Sequence, residues 1–209
     1  MKQSSKISNG VNLKKITNFF FEIQVLKRTP RSGLKNVGIR NSDSVAEHIF
    51  LTAQITYVLG KMEKVNAERA ALIALFHDNG EARIGDGDLV KRTYLDTNGA
   101  EERVFFDQIK NLPGEGEIKT LYKEWVKKDT REATVARDAD LLELALQVKC
   151  FLDSGNKLLS IWLKFIKAHL KTKSAKKLFK TMEKTNIDDW WREIPEIKEK
   201  LEKNKPYKA

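Results

Sequence analysis

Apolar residues recur at spacings of three and four through almost the whole chain, and the alternation of a half-buried strand does not. Leu13, Ile16, Phe20, Ile23 and Leu26 set the pattern and predict an amphipathic helix over 12–27. The stretch RTPRSGLKNVGIRNS (28–42) is rich in Pro, Gly and Ser and reads as a loop. Asp43 or Ser44 then caps a second helix, with Glu47 completing a capping box on Ser44; that helix is expected to end at Gly60. Asn66 caps a third, which ends near Gly80, and residues 81–97 read as an irregular loop. Further helices are expected at 98–111, 116–128, 130–153, 157–170, 173–185 and 187–202, with Pro195 placing the last one later. The pattern predicts an all-α protein, a single globular helical bundle. Residues 1–11 read as a flexible N-terminus, 12–153 as the core, and 154–209 as lysine-rich C-terminal helices packed on it.

A length of 209 residues suits one domain that buries most of its unfolded surface without covalent staples. Hydrophobic residues at 41% and charged residues at 33% exclude a disordered chain. The lone Cys150 excludes an intramolecular disulfide and reads as an inert buried thiol. No stretch is apolar for long enough to span a bilayer, and the N-terminus lacks the apolar centre of a secretory signal, so a cytoplasmic protein is expected. The net charge of +10 favours anionic partners. Between Lys164 and Lys184 eight lysines stand against one acid, Glu183, and Lys173, Lys176, Lys180 and Lys184 share a stripe. That stripe reads as a solvated helix face, and nucleic acid is not the expected partner, because no aromatic or Gly-rich recognition motif accompanies it.

Chemistry concentrates in three places. His48 stands at i+3 from Val45, and His77 stands at i+3 from Ala74, each on a face that should turn inward. Asp78 follows His77, and in RDADLLELALQ Asp140 lies four residues from both Ala136 and Leu144. A carboxylate on an apolar face is costly unless paired or metal-bound. Two imidazoles and two carboxylates form a mixed nitrogen–oxygen set that suits Mn²⁺, Co²⁺, Fe²⁺, Ni²⁺ or Mg²⁺ better than a closed structural zinc site. Glu81 and Asp86 follow in ALFHDNGEARIGD (74–86). Other polar and aromatic residues have plainer readings. Glu47 is a cap, His169 a surface residue, Lys91 a solvated loop lysine, and Trp190-Trp191 packing or an oligomer contact. Tyr94 and Phe105-Phe106 read as core or interface.

His48, His77-Asp78 and Asp140 within RDADLLE resemble the H…HD…D signature of the HD superfamily of metal-dependent phosphohydrolases. The segments LKRTPRSGLKNVG, SVAEHIF and ALFHDNGEARIGD resemble its 5′-deoxynucleotidase branch, from about Leu26 to Gln147. The resemblance implies metal ligands at His48, His77, Asp78 and Asp140. Asp138 is a rival for Asp140, which fits the family's Ala-Asp-x-Leu pattern better. It implies catalytic acids at Glu81 and Asp86 and pocket arginines at Arg28 and Arg40. It also implies one divalent ion, Mn²⁺ or Co²⁺ first and Mg²⁺, Fe²⁺, Ni²⁺ or Zn²⁺ after them. The implied substrate is a nucleoside 5′-monophosphate, and a homodimer is favoured. One departure stands out: Gly87-Asp88-Leu89-Val90 lacks the proline that the family often has after Gly-Asp, so strict preference for deoxyribose is not implied. Two other readings stay open: an HD phosphohydrolase for cyclic or guanosine polyphosphate nucleotides, and a basic nucleic-acid-binding module with a structural metal.

Overall fold

The computed structural model describes residues 12–203; the expected flexible segment 1–11 and residues 204–209 lie outside the described residues. Twelve α-helices follow one another among the described residues: α1 (Leu13–Ile23), α2 (Val45–Glu63), α3 (Ala67–Phe76), α4 (Glu81–Ile84), α5 (Leu89–Tyr94), α6 (Thr97–Ile109), α7 (Glu115–Lys127), α8 (Arg131–Asp153), α9 (Ser160–His169), α10 (Lys173–Met182), α11 (Asp189–Arg192) and α12 (Pro195–Lys203). Extended pairing among them is limited to one antiparallel bridge, Pro30 with Ser44. The all-α expectation holds.

Caps set the helix starts. Ser44 accepts from the Glu47 backbone N–H, and the Glu47 carboxylate accepts from the Ser44 N–H at 2.6 Å, so two orphan donors of α2 are satisfied reciprocally. Asn66, Asp96 and Thr130 cap α3, α6 and α8 in the simpler way. Helix α2 continues through Gly60, where a Cβ would come within 2.9 Å of Ala67. The glycine is therefore needed for close packing and does not stop the helix.

Small residues bring α2, α3 and α8 together. Ala67, Ala70 and Ala74 on α3 and Ala133, Ala136, Ala139 and Ala145 on α8 are all fully buried. Without bulky side chains between them the backbones approach closely, and polar groups on their inner faces can meet. Ile166, Leu170, Ala175, Phe179 and Met182 from α9, α10 and the turn between them join Leu59, Val135, Ala139 and Leu142 in the largest core cluster. The lysines of α10 face outward while Ala175 and Phe179 face in.

Several expectations need correction. Residues 81–97 carry two short helices, because α4 and α5 are tied to each other by side-chain bonds: Lys91 Nζ donates to the carbonyls of Ile84 (2.8 Å) and Gly85 (3.3 Å). Lys91 is thus a half-buried cap of α4 rather than a solvated lysine. Cys150 is exposed, since the end of α8 lies on the rim of an apolar groove of about 600 Å³ between α2, α8 and α10. Tyr94 is not core, being 81% exposed, whereas Phe105 is buried and stacks on Tyr122 at 4.2 Å. The last helical stretch divides into α11 and α12, with Pro195 opening α12, where its missing N–H has no helical partner to lose.

Candidate active site

Helix α2 presents His48 from its first turn, and the imidazole is fully buried. Its Nδ1 lies 2.6 Å from Glu143 Oε2, and its Nε2 lies 3.2 Å from Asp140 Oδ1 and 3.8 Å from Asp78 Oδ2. His77 caps the C-terminus of α3, with Nδ1 2.6 Å from the Ala74 carbonyl and Nε2 2.9 Å from Asp78 Oδ2. In both rings Nδ1–H faces an acceptor, which leaves the Nε2 lone pair free. Both Nε2 atoms are buried without a hydrogen-bond partner. Donor atoms of His48, His77 and Asp78 all lie within 4.8 Å of one another. Orphaned buried nitrogens beside carboxylate oxygens are what a divalent cation would satisfy, so the residues present fit a metal.

The charges agree with the geometry. Burial and Arg31 pull the His48 imidazolium down, yet Asp140 and Glu143 outweigh them and push it up to about 9, so a proton competes with a cation for the Nε2 lone pair. Burial would raise the Asp78 carboxyl, but His77, His48 and Arg31 hold it well below the usual carboxylate range. The cluster therefore favours positive charge at its centre.

Next to it stands a second pair of acids. Glu81, the first residue of α4, is buried; Oε1 accepts from the Gly87 N–H at 3.3 Å, and Oε2 has no partner. Burial, then the fields of Asp78 and Asp86, drive its carboxyl well above the carboxylate range, which favours the protonated form. Gly85, at φ +73°, turns the chain after α4 in a conformation that disfavours a side chain. The turn returns Asp86 to Ser32, whose backbone N–H and hydroxyl both donate to Asp86 Oδ2.

Of the sequence-predicted site residues, His48, His77, Asp78, Asp140, Glu81 and Asp86 come together. Asp138 points elsewhere: buried, it accepts from the backbone N–H groups of Lys171 and Thr172 and so holds the start of α10. Arg28 and Arg40 are exposed, and among the described residues neither forms an ion pair. The arginine that enters the cluster is Arg31, 3.5 Å from Asp78 Oδ2 and 3.6 Å from Asp86 Oδ1. Backbone bonds Arg31 N–H to Asp43 (3.0 Å) and Val45 N–H to Thr29 (2.8 Å) clamp its segment against the start of α2. Sequence reasoning missed Arg31, Ser32 and Glu143. Glu143 carried a usable signal, a carboxylate three residues after Asp140 on an apolar face; the other two sit in an aperiodic loop.

A buried mixed imidazole–carboxylate cluster in an α-helical bundle, flanked by a buried acid and an arginine, is an arrangement that could hold a divalent cation. A sequence model of the HD domain family matches residues 23–183, and the chain belongs to that family. It is similar to the 5′-deoxynucleotidase HDDC2 of Homo sapiens, 27% identical over 74% of this chain and 76% of the relative. It is also similar to the 5′-deoxynucleotidase hdd1 of Schizosaccharomyces pombe, 30% identical over 67% of this chain and 74% of the relative. Among solved structures, a conserved hypothetical protein from Pyrococcus furiosus aligns with a TM-score of 0.69 at 30% identity, covering 81% of this chain and 99% of that one.

Proposed function

We propose that this chain is a divalent-metal-dependent phosphomonoesterase that releases inorganic phosphate from nucleoside 5′-monophosphates, deoxyribonucleotides first. The observation that carries the reading is the pair of orphaned, buried Nε2 atoms of His48 and His77 converging on Asp78 and Asp140 beside the buried Glu81. The names of the HDDC2 and hdd1 relatives support the substrate class.

His48, His77, Asp78 and Asp140 would hold the ion, with Mn²⁺ or Co²⁺ the best match to two nitrogens and two hard oxygens. A divalent ion there supplies Lewis acidity toward a phosphoryl oxygen and eases deprotonation of a water. The remaining work falls to the chain. Hydrolysis breaks the bond between phosphorus and the 5′-oxygen, and that oxygen must gain a proton while the attacking water loses one. Glu81, whose surroundings favour the protonated form, suits donation to the 5′-oxygen. Asp86, oriented by two Ser32 donors, suits acceptance of the water's proton. Arg31 takes the phosphate-facing role that the sequence suggested for Arg28 and Arg40; its planar fork matches phosphate oxygens.

Within the same reading the enzyme works in the cytoplasm, and the exposed apolar face of α2, with Phe50, Tyr57 and Val58, would serve a homodimer. No helix among the described residues is long and apolar enough to cross a membrane. A substrate panel tests the assignment: the four dNMPs, the four NMPs, a cyclic nucleotide and a guanosine polyphosphate, alongside DNA binding at two salt concentrations. Turnover confined to cyclic or polyphosphate substrates would move the protein to another branch. Salt-sensitive DNA binding without any turnover would support a nucleic-acid module instead.

A further inference from the structure

Arginines and lysines around the cluster are mostly committed. Arg31 uses Nη1 on two carboxylates and keeps the rest of its fork for the phosphate role proposed above, Lys91 caps α4, and Arg92 donates to the Gly87 carbonyl, Asn98 and Glu101. Arg137 differs. It lies on α8 one turn before Asp140, on the same side of the helix. Its guanidinium carbon sits 3.6 Å from the centre of the Trp125 ring, and Nη2 donates to the Trp125 carbonyl at 2.9 Å. The Trp125 ring in turn lies 4.5 Å from the His77 ring, which ties this arginine's platform to the cluster.

What remains of the guanidinium is unused. Nε is buried with no hydrogen-bond partner, and among the described residues no carboxylate lies within ion-pair distance of it. The fields of Asp140 and Asp78 nevertheless reach Arg137 and oppose the loss of its proton that burial favours. It is therefore near the carboxylates without being neutralised by them. A half-buried cation that is stacked, fixed and unpaired is costly unless an anion completes it. The phosphoryl group of the proposed substrate is an anion that would stand beside those carboxylates.

We infer that Arg137 is a substrate-binding residue whose free guanidinium edge, held flat on Trp125, takes a non-bridging phosphoryl oxygen of the substrate. The inference rests on the phosphomonoesterase reading for its substrate, and on the unpaired Nε and the Trp125 contact for its geometry.

The test uses full-length Mn²⁺-loaded protein and inorganic phosphate as the probe, titrated by calorimetry, with steady-state kinetics on the dNMPs in parallel. Arg137→Met should bind phosphate about 10- to 100-fold more weakly, as expected for loss of a charged hydrogen bond, and raise KM with Mn²⁺ affinity retained. Arg137→Lys should fall between, because an ammonium keeps the charge but loses the planar edge. Unchanged phosphate affinity and KM in Arg137→Met would overturn the inference. Should that variant fail to fold, unchanged phosphate affinity in Arg137→Lys overturns it equally, and so does loss of Mn²⁺ binding in Arg137→Lys, which would make the residue structural. Arg137-dependent phosphate binding in a wild type that hydrolyses no nucleotide would remove the phosphomonoesterase reading and leave this site standing.

Discussion

Glu143 Oε2 lies 2.6 Å from His48 Nδ1, with both side chains buried on facing helices. This one contact fixes the imidazole so that Nε2, and not Nδ1, faces Asp78 and Asp140. The carboxylate also makes the ring a better electron donor toward a cation. Glu143→Gln, which keeps the shape and removes the charge, should weaken metal binding about 10- to 100-fold. Calorimetric titration with Mn²⁺ measures it; unchanged affinity would mean that Glu143 serves packing alone.

Glu81→Gln removes the proposed proton donor while preserving the Gly87 contact. Its kcat should fall about 10²- to 10⁴-fold with KM little changed. A loss expressed in KM alone would assign Glu81 to binding.

The same variant carries a stability signature in chelated protein. Because burial lifts the folded-state pKa of Glu81 far above its ordinary 4.5, the wild type is favoured while the group is protonated. That advantage is complete below pH 4.5 and is lost as pH rises toward the folded-state value. Over that window the wild type should lose about 1.4 kcal/mol per pH unit relative to Glu81→Gln. Denaturant melts of both proteins at several pH values give the slope, and a parallel pair of curves would show that Glu81 ionises normally.

The two aspartates of RDADLLE should separate cleanly. Asp138→Ala leaves the Lys171 and Thr172 N–H groups without their acceptor and should cost about 2 to 3 kcal/mol of stability with metal binding intact. Asp140→Ala should abolish tight metal binding with a smaller effect on chelated protein. The reverse pattern would exchange their roles.

Arg31→Met should raise KM for a nucleoside monophosphate about tenfold or more, whereas Arg28→Met and Arg40→Met should leave it unchanged. A KM effect confined to Arg28 would return the phosphate contact to the exposed edge of the loop.

That these four polar residues gather was legible in the sequence for a specific reason. His48, His77, Asp78 and Asp140 are polar residues on or at the end of helix faces that the apolar period turns inward, so each stood out against its neighbours. Asp138 and Asp140 were separable only by pattern, because which of them faces α10 depends on how the helices pack. Arg31 was not legible, since its segment has no period and its direction is set by the Pro30–Ser44 bridge. Helices α4 and α5 were missed because Gly85 and Gly87 dominate the local composition, although Asp88 caps α5 and Lys91 and Arg92 reach back seven and five residues to hold the segment. Cys150 shows the opposite failure: an apolar helix face was taken as buried where α8 runs out to the surface.

The most direct measurement is phosphate release from dNMPs by chelator-stripped protein resupplied singly with Mn²⁺, Co²⁺, Mg²⁺, Fe²⁺, Ni²⁺ or Zn²⁺, with His77→Ala and Glu81→Gln alongside. Release should require the ion, be strongest with Mn²⁺ or Co²⁺, and be lost in both variants, with metal binding retained only in Glu81→Gln. Metal-independent release, or no release from protein that demonstrably holds the ion, would contradict the account.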